Sequence, residues 1–285
     1  MIRGLPVLDA HIHLDPYGSP VEAVNHFRKA GGTHLLIIHK PYHHLKELSV
    51  EDHRRSFDTT VEMCELANRN GVKAWCVVGP YPGNLPHLAK EVGDQKAEEI
   101  HLQSLEIAFE MFDEGLTVGV GEIGRIHYQA DEKYQRSCDR ILETAMSEAS
   151  GRGCPVILHT ESPRDNPNLF KHIAKMADAS DLERKKVVKH YSGWEAADPD
   201  VGMGLSVSMQ ARRNNIENAL SRGLDFLLET DYIDDKKRPN VVMPPDTVPK
   251  KIGWAYRKDI LTEDFHHRLM IEVPMEVLGI NTQKD

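Results

Sequence analysis

The chain alternates, almost from end to end, between short apolar runs and longer charged stretches. The apolar runs lie at 6–14, 33–40, 72–79, 117–125, 155–161, 186–193, 204–210 and 225–232. Near-continuous Val, Ile and Leu of this length suits strands covered on both faces, as in a parallel sheet. Between the runs, the segments 19–30, 51–70, 96–114 and 131–151 carry apolar residues three and four apart, the period of an amphipathic helix. Ser19-Pro20 places a capping residue and a proline at the start of the first of them. Eight strand–helix alternations predict an α/β fold, a single (β/α)8 TIM-like barrel occupying 1–285 as one domain. A doubly wound open sheet is the lesser alternative, because no glycine-rich phosphate loop follows the first strand. The tail at 248–282, helical and apolar in patches ("LMIEVPMEVLGI"), is expected to close the outer ring.

Composition narrows the function classes. The chain has 285 residues, 40% hydrophobic and 28% charged, a globular composition with no apolar run long enough to span a bilayer. A net charge of -9 argues against a broad nucleic-acid-binding surface but leaves room for a small phosphate cleft, where cations dominate locally. Cys64, Cys76, Cys138 and Cys154 have neither metal-type nor redox-type spacing and are expected as reduced thiols of a cytoplasmic protein. No signal peptide is expected, since cleavage would remove the first strand. Of the 16 histidines, His172, His266 and His267 sit on polar helical stretches and are expected to be solvated.

The chemically unusual residues fall at strand ends, where a barrel carries its active site. In "LDAHIH", His11 and His13 share one face of the first strand, because side chains alternate with period two. Glu122 is embedded in the apolar "VGVGEIG" of the fourth run. His159 ends the fifth run, His190 lies in the sixth and Asp231 follows "FLLET" in the eighth. Nothing comparable ends the third or seventh. Four histidines and two carboxylates form a ligand mix for zinc, manganese or iron, and are enough for two metals with one carboxylate bridging.

These pieces, "DAHIHL" at 9–14, "GEIG" at 121–124, "ILHTE" at 157–161, "KHYSG" at 189–193 and "LLETD" at 227–231, resemble the TatD-type deoxyribonucleases of the amidohydrolase superfamily, in family order and across the whole chain. The resemblance implies a distorted (β/α)8 barrel with a two-metal hydrolytic site. His11, His13, Glu122 and Asp231 would hold one divalent ion (Zn, Mn or Mg), and Glu122, His159 and His190 the other. It also implies hydrolysis of DNA phosphodiesters. The chain departs from the family where Arg125-Ile126 replaces the usual Leu-Asp after "GEIG", in the loop "DPYGSP", and in "YIDDKKRPN" after the last strand. All three stretches shape a substrate pocket.

The expected reaction is hydrolysis by a metal-activated water at a binuclear site, with Glu122 and Asp231 as the catalytic carboxylates and Asp231 passing a proton to the leaving group. Arg125 and Arg164 are the expected phosphate clamps, ahead of Arg212, Arg213, Lys236, Lys237 and Arg238 in other strand-end loops. Glu161 faces the same way as His159 and is expected near substrate. His39, His43 and His44 are read as rim or structural residues. His127 and Tyr128 could contact substrate, with nothing in the sequence to decide it. The alternative activity is metal-dependent hydrolysis of a small non-nucleic substrate, a lactone, an amide or a small phosphoester. A non-catalytic metal-binding scaffold ranks last, because no ligand is missing.

Overall fold

Each of the eight apolar runs forms a strand, shorter than the run because the flanking residues turn into loops. The computed structural model describes residues 4–235 and 243–283. Within them the strands are β1 (Leu8–His13), β2 (His34–Ile38), β3 (Lys73–Val77), β4 (Val120–Gly124), β5 (Val156–His159), β6 (Val187–Ser192), β7 (Ser206–Gln210) and β8 (Leu227–Glu229), with a short β9 (Tyr232–Ile233) continuing the line of β8. The helices are α1 (Pro20–Lys29), α2 (Val50–Arg69), α3 (Leu85–Val92), α4 (Asp94–Asp113), α5 (Glu132–Arg152), α6 (Leu169–Ala179), α7 (Arg213–Ser221), α8 (Thr247–Arg257), α9 (Glu263–His267) and α10 (Val273–Leu278). As expected, the last three complete the outer layer.

All described pairings are parallel. The strands run β3-β2-β1-β9 in one group and β4-β5-β6-β7-β8 in the other. Backbone hydrogen bonds cross both seams between the groups. At one, Val118 N donates to Cys76 O (2.9 Å) and Gly121 N to Val78 O (3.0 Å); at the other, Asp231 N donates to His11 O (2.9 Å) and Asp234 N to His13 O (3.0 Å). The strands therefore follow one another in chain order around a (β/α)8 barrel, with the loops after each strand gathered at one end. Gly79 is required at the first seam: a Cβ there would lie 2.9 Å from Gly121 N.

The lack of strict alternation in β2 has a direct cause. Leu36 and Ile38 pack in one apolar cluster with Val77, Val120 and Ile157, while Leu35 and Ile37 pack in a second with Phe27 of α1. With both faces covered, nothing polar is needed on either. Phe27 is fully buried, a contribution of about 1.5–3 kcal/mol.

The helix starts show two outcomes. Ser49 caps α2, its side chain accepting from Asp52 N at 3.2 Å. Ser19, expected as a cap, makes no side-chain capping bond; its N–H instead donates to the Asp234 carboxylate at 2.8 Å, and Pro20 alone opens α1. The expectation for His266 is corrected. It is buried, and its Nε2 donates to Pro6 O at 2.7 Å, so that α9 ties down the chain entering β1. A helical period cannot tell a ring facing water from one facing a carbonyl 260 residues away. His172 and His267 are part-exposed, as expected. No helix among the described residues is long and apolar enough to cross a membrane. The four cysteines are free and buried.

Candidate metal centre

The six strand-end side chains singled out from the sequence converge. Glu122 Oε1 lies 3.4 Å from His11 Nε2, 3.1 Å from His159 Nδ1 and 2.7 Å from His190 Nε2. His11 Nε2 is 3.3 Å from His13 Nε2, and His13 Nε2 is 3.4 Å from Asp231 Oδ1. His159 Nδ1 is 3.0 Å from His190 Nε2. The His11 and His190 rings stack with centroids 4.2 Å apart. Ligand atoms of His11, His13 and Glu122 form one compact triplet, and those of Glu122, His159 and His190 a second.

The cluster is rich in lone pairs and poor in hydrogens. His13 Nδ1–H donates to Ile38 O (2.9 Å), which leaves its Nε2 as an acceptor facing the cluster. Burial raises the carboxyls of Glu122 and Asp231, but their imidazole partners, His190 and His159 for Glu122 and His13 for Asp231, outweigh it and hold both below the usual range. Burial pushes His190 down to about 3, against the pull of Glu122, so its ring is neutral. Burial also pulls His13 down, yet the Asp231 and Glu122 carboxylates beside it raise it overall. That is the response of an imidazole in a site with surplus negative charge. Ionised carboxylates and imidazole nitrogens facing one space are a fit for a divalent cation.

The model of the family described as TatD-related DNase matches residues 8–262. The chain belongs to the TatD-related DNase family. It is accordingly a metal-dependent hydrolase acting on ester or phosphodiester bonds. An uncharacterized protein of Methanocaldococcus jannaschii is 34% identical over 269 residues, covering 93% of this chain and 92% of that one. Among solved structures, the chain is similar to a TatD homolog from Escherichia coli (TM-score 0.65, 19% identity, 96% of this chain and 98% of that one). It is also similar to a TatD-like protein from Archaeoglobus fulgidus (TM-score 0.61, 16% identity, 96% and 100%). At these identities the solved structures speak to the fold.

In this TatD-family barrel a cavity of about 770 Å³ opens over the cluster, lined by His13, Glu122, His159, His190 and Asp231 on its floor. The other expected substrate residues lie off it. Arg125 Nε donates to Glu161 Oε1 at 3.0 Å and its terminal nitrogen to Asp139, so Arg125 and Glu161 neutralise each other. Arg164 is exposed in the loop after β5. Arg213 lies over the Trp254 ring. Lys236, Lys237 and Arg238 lie outside the described residues. His39 is a buried structural residue, bonded to Gly79 O and Ser56 Oγ at 2.9 Å each. His43 faces Asp235, and His44 packs on Tyr17.

Several residues around the TatD-type site were not found by sequence reasoning. Asp9 accepts from Thr230 Oγ (2.6 Å) and Thr230 N (3.0 Å), fixing the residue before Asp231. It shares the face of His11 and His13 by the same period of two, which was the available signal. Glu229 lies beneath the cluster, accepting from Tyr191 N at 2.7 Å and standing 3.8 Å from His190 Nδ1. Burial and the charge on Asp231 push its carboxyl well up. Lys189 is buried with its Nζ on His190 O, and burial brings its ammonium down to about 8. On the outer side, His159 Nε2 meets His127 Nδ1 at 2.7 Å and the Tyr81 hydroxyl at 3.2 Å.

Proposed function

We propose that His11, His13, Glu122 and Asp231 hold one divalent metal ion and that Glu122, His159 and His190 hold a second, in a hydrolase that cleaves phosphodiester bonds of DNA. The observation that carries the two-metal reading is Glu122: a single carboxylate oxygen is within 3.4 Å of imidazoles belonging to both triplets. Zinc, manganese and magnesium are the metals to test, in that order, because imidazole nitrogens outnumber carboxylates. Bound divalent ions lower the pKa of water and neutralise charge building on the transferred group.

The chain's own residues supply the rest. Asp231 is ionised, borders the cavity and lies 3.4 Å from His13 Nε2; it is the group placed to take a proton and return it to the leaving oxygen. Glu122 stays ionised at the centre of the cluster. His13 is held in one tautomer by Ile38 O, and His159 is held from behind by His127 and Tyr81. Residues 1–285 act as one hydrolase domain in this reading, supported by an apolar cluster that runs from Val7 to Ile280.

The cavity volume favours a second reading. About 770 Å³ lies within the range of roughly 300–1,000 Å³ typical of small-molecule sites. A small phosphoester, a lactone or an amide is therefore the alternative substrate. One assay separates the two: protein loaded with Zn²⁺, Mn²⁺ or Mg²⁺ against single-stranded DNA, bis-p-nitrophenyl phosphate and a panel of lactones and amides. Metal-dependent release of nucleotides supports the first reading. Turnover of lactones or amides with no cleavage of either phosphodiester sinks it.

A further inference from the structure

The cavity is lopsided. Beyond the cluster floor and Ile233, its lining among the described residues comes from two segments, 40–48 after β2 and 81–91 spanning the start of α3. A ligand whose reacting bond sits at the cluster therefore lies against this wall. The wall is also where an acidic chain places uncompensated positive charge. Lys46 and Lys90 are exposed on it, and among the described residues neither side chain has a hydrogen bond or an ion pair. The neighbouring basic side chains already have partners, Lys40 Nζ with Asp15 Oδ2 at 2.6 Å and His43 Nε2 with Asp235 Oδ2 at 3.4 Å. Glu91 is the one exposed carboxylate among the described lining residues.

The backbone beneath the two lysines is held by a buried carboxylate. Glu47, next to Lys46, is 4% exposed; its Oε1 accepts from Ser56 Oγ (2.6 Å) and lies 3.3 Å from His39 Nε2. Its Oε2 accepts from Asn84 Nδ2 at 3.1 Å, and Asn84 immediately precedes α3, which carries Lys90. One side chain thus joins the two wall segments that carry Lys46 and Lys90. The lysines then lose side-chain entropy, with no backbone ordering, when an anion binds there.

We infer that Lys46 and Lys90 form a second anion subsite, which takes a phosphate flanking the scissile one, so that the substrate is a phosphodiester chain with more than one linkage. The inference rests on the phosphodiesterase reading above and extends it by naming where the rest of the chain lies. A substrate with a single phosphate reaches the cluster but leaves this subsite empty.

The test is binding of non-cleavable, fluorescein-labelled phosphorothioate thymidine oligomers to the metal-loaded full chain, read by fluorescence anisotropy. The wild type should bind a tetranucleotide at least tenfold more tightly than a dinucleotide at low salt. Lys46→Ala/Lys90→Ala should reduce that advantage to less than threefold and flatten the salt dependence of tetranucleotide affinity by about 0.7 in log–log slope, the value for one lost single-strand phosphate contact. Lys46→Arg/Lys90→Arg should keep the advantage, as should Lys171→Ala on α6, outside the cavity lining. An absent advantage in the wild type, or one that survives the double alanine variant, overturns the subsite. Cleavage of the ordinary phosphodiester oligomers is scored separately. Cleavage without a length advantage leaves the phosphodiesterase standing and removes the subsite. A lysine-dependent length advantage without any cleavage keeps the subsite and removes the nuclease.

Discussion

Asp231 sits at φ +52°, in the left-handed region that few residues other than glycine, asparagine and aspartate occupy readily. Its N–H reaches back to His11 O, and this sharp turn swings its carboxylate toward His13. Asp231→Asn is therefore a clean probe, because asparagine tolerates the same backbone and keeps one oxygen ligand while losing the group that accepts a proton. We expect turnover to fall by about 10²–10⁴, with the unfolding midpoint unchanged and most of the metal retained by elemental analysis. Near-normal turnover would reduce Asp231 to a plain ligand. His159→Ala should behave in the opposite order. It removes a nitrogen that faces both Glu122 and His190, so metal content should drop first and activity should return in part at high metal concentration. Retention of both metals by His159→Ala would take His159 out of the ligand set.

At the scale of the element, β4 shows why "GEIG" has glycines on either side of Ile123 and Glu122. Gly124 has φ +131°, and a Cβ there would lie 2.5 Å from His159 O. The backbones of β4 and β5 approach so closely that no side chain fits between them, and this approach sets Glu122 against His159. Gly124→Ala should destabilise the protein by about 1–3 kcal/mol from backbone strain alone. It should also weaken metal binding, because relief of the contact moves His159. Thermal unfolding together with metal titration checks this, and a variant unchanged in both would show that the close approach positions nothing. The inward face of α2 carries a related lesson. His53, Ser56 and Thr60 are fully buried where a helical period alone would ask for apolar residues. His53 and Ser56 face Glu47, which burial raises but the His39 hydrogen bond and charge bring down to about 2, and Thr60 pairs with the Tyr42 hydroxyl.

For the molecule as a whole, the most telling titration is far from the cluster. His101 on α4 is 1% exposed, packs its ring 5.6 Å from that of His53, and is driven down to about 3, first by burial and then by His53. A histidine kept neutral in the fold but free to protonate near 6.5 when unfolded makes the unfolded chain bind more protons between those values. Its contribution is complete above about pH 6.5 and is lost as pH falls toward 3, roughly 3–5 kcal/mol across the window. Denaturant unfolding at pH 7 and pH 5 should show this loss, and His101→Leu should have a shallower pH slope than the wild type. An identical slope would show that His101 is not the titrating group. The sequence by itself determined the elements and the cluster: the eight apolar runs, the period of two that puts His11 and His13 on one face, and the strand ends that collect Glu122, His159, His190 and Asp231. These are local properties, since an apolar run buried on both faces is a strand wherever it lies. Only the tertiary structure decided which polar residues serve the cavity. Arg125 was legible as a cation after β4, but its pairing with Glu161 and Asp139 depends on carboxylates 36 and 14 residues away. Asp9 meets Thr230 across 221 residues, His266 meets Pro6 across 260, and Glu47 meets Asn84 across 37. A buried polar group must find a partner, and no local pattern says which one, because the partner is set by where closure of the barrel brings distant strands and loops together.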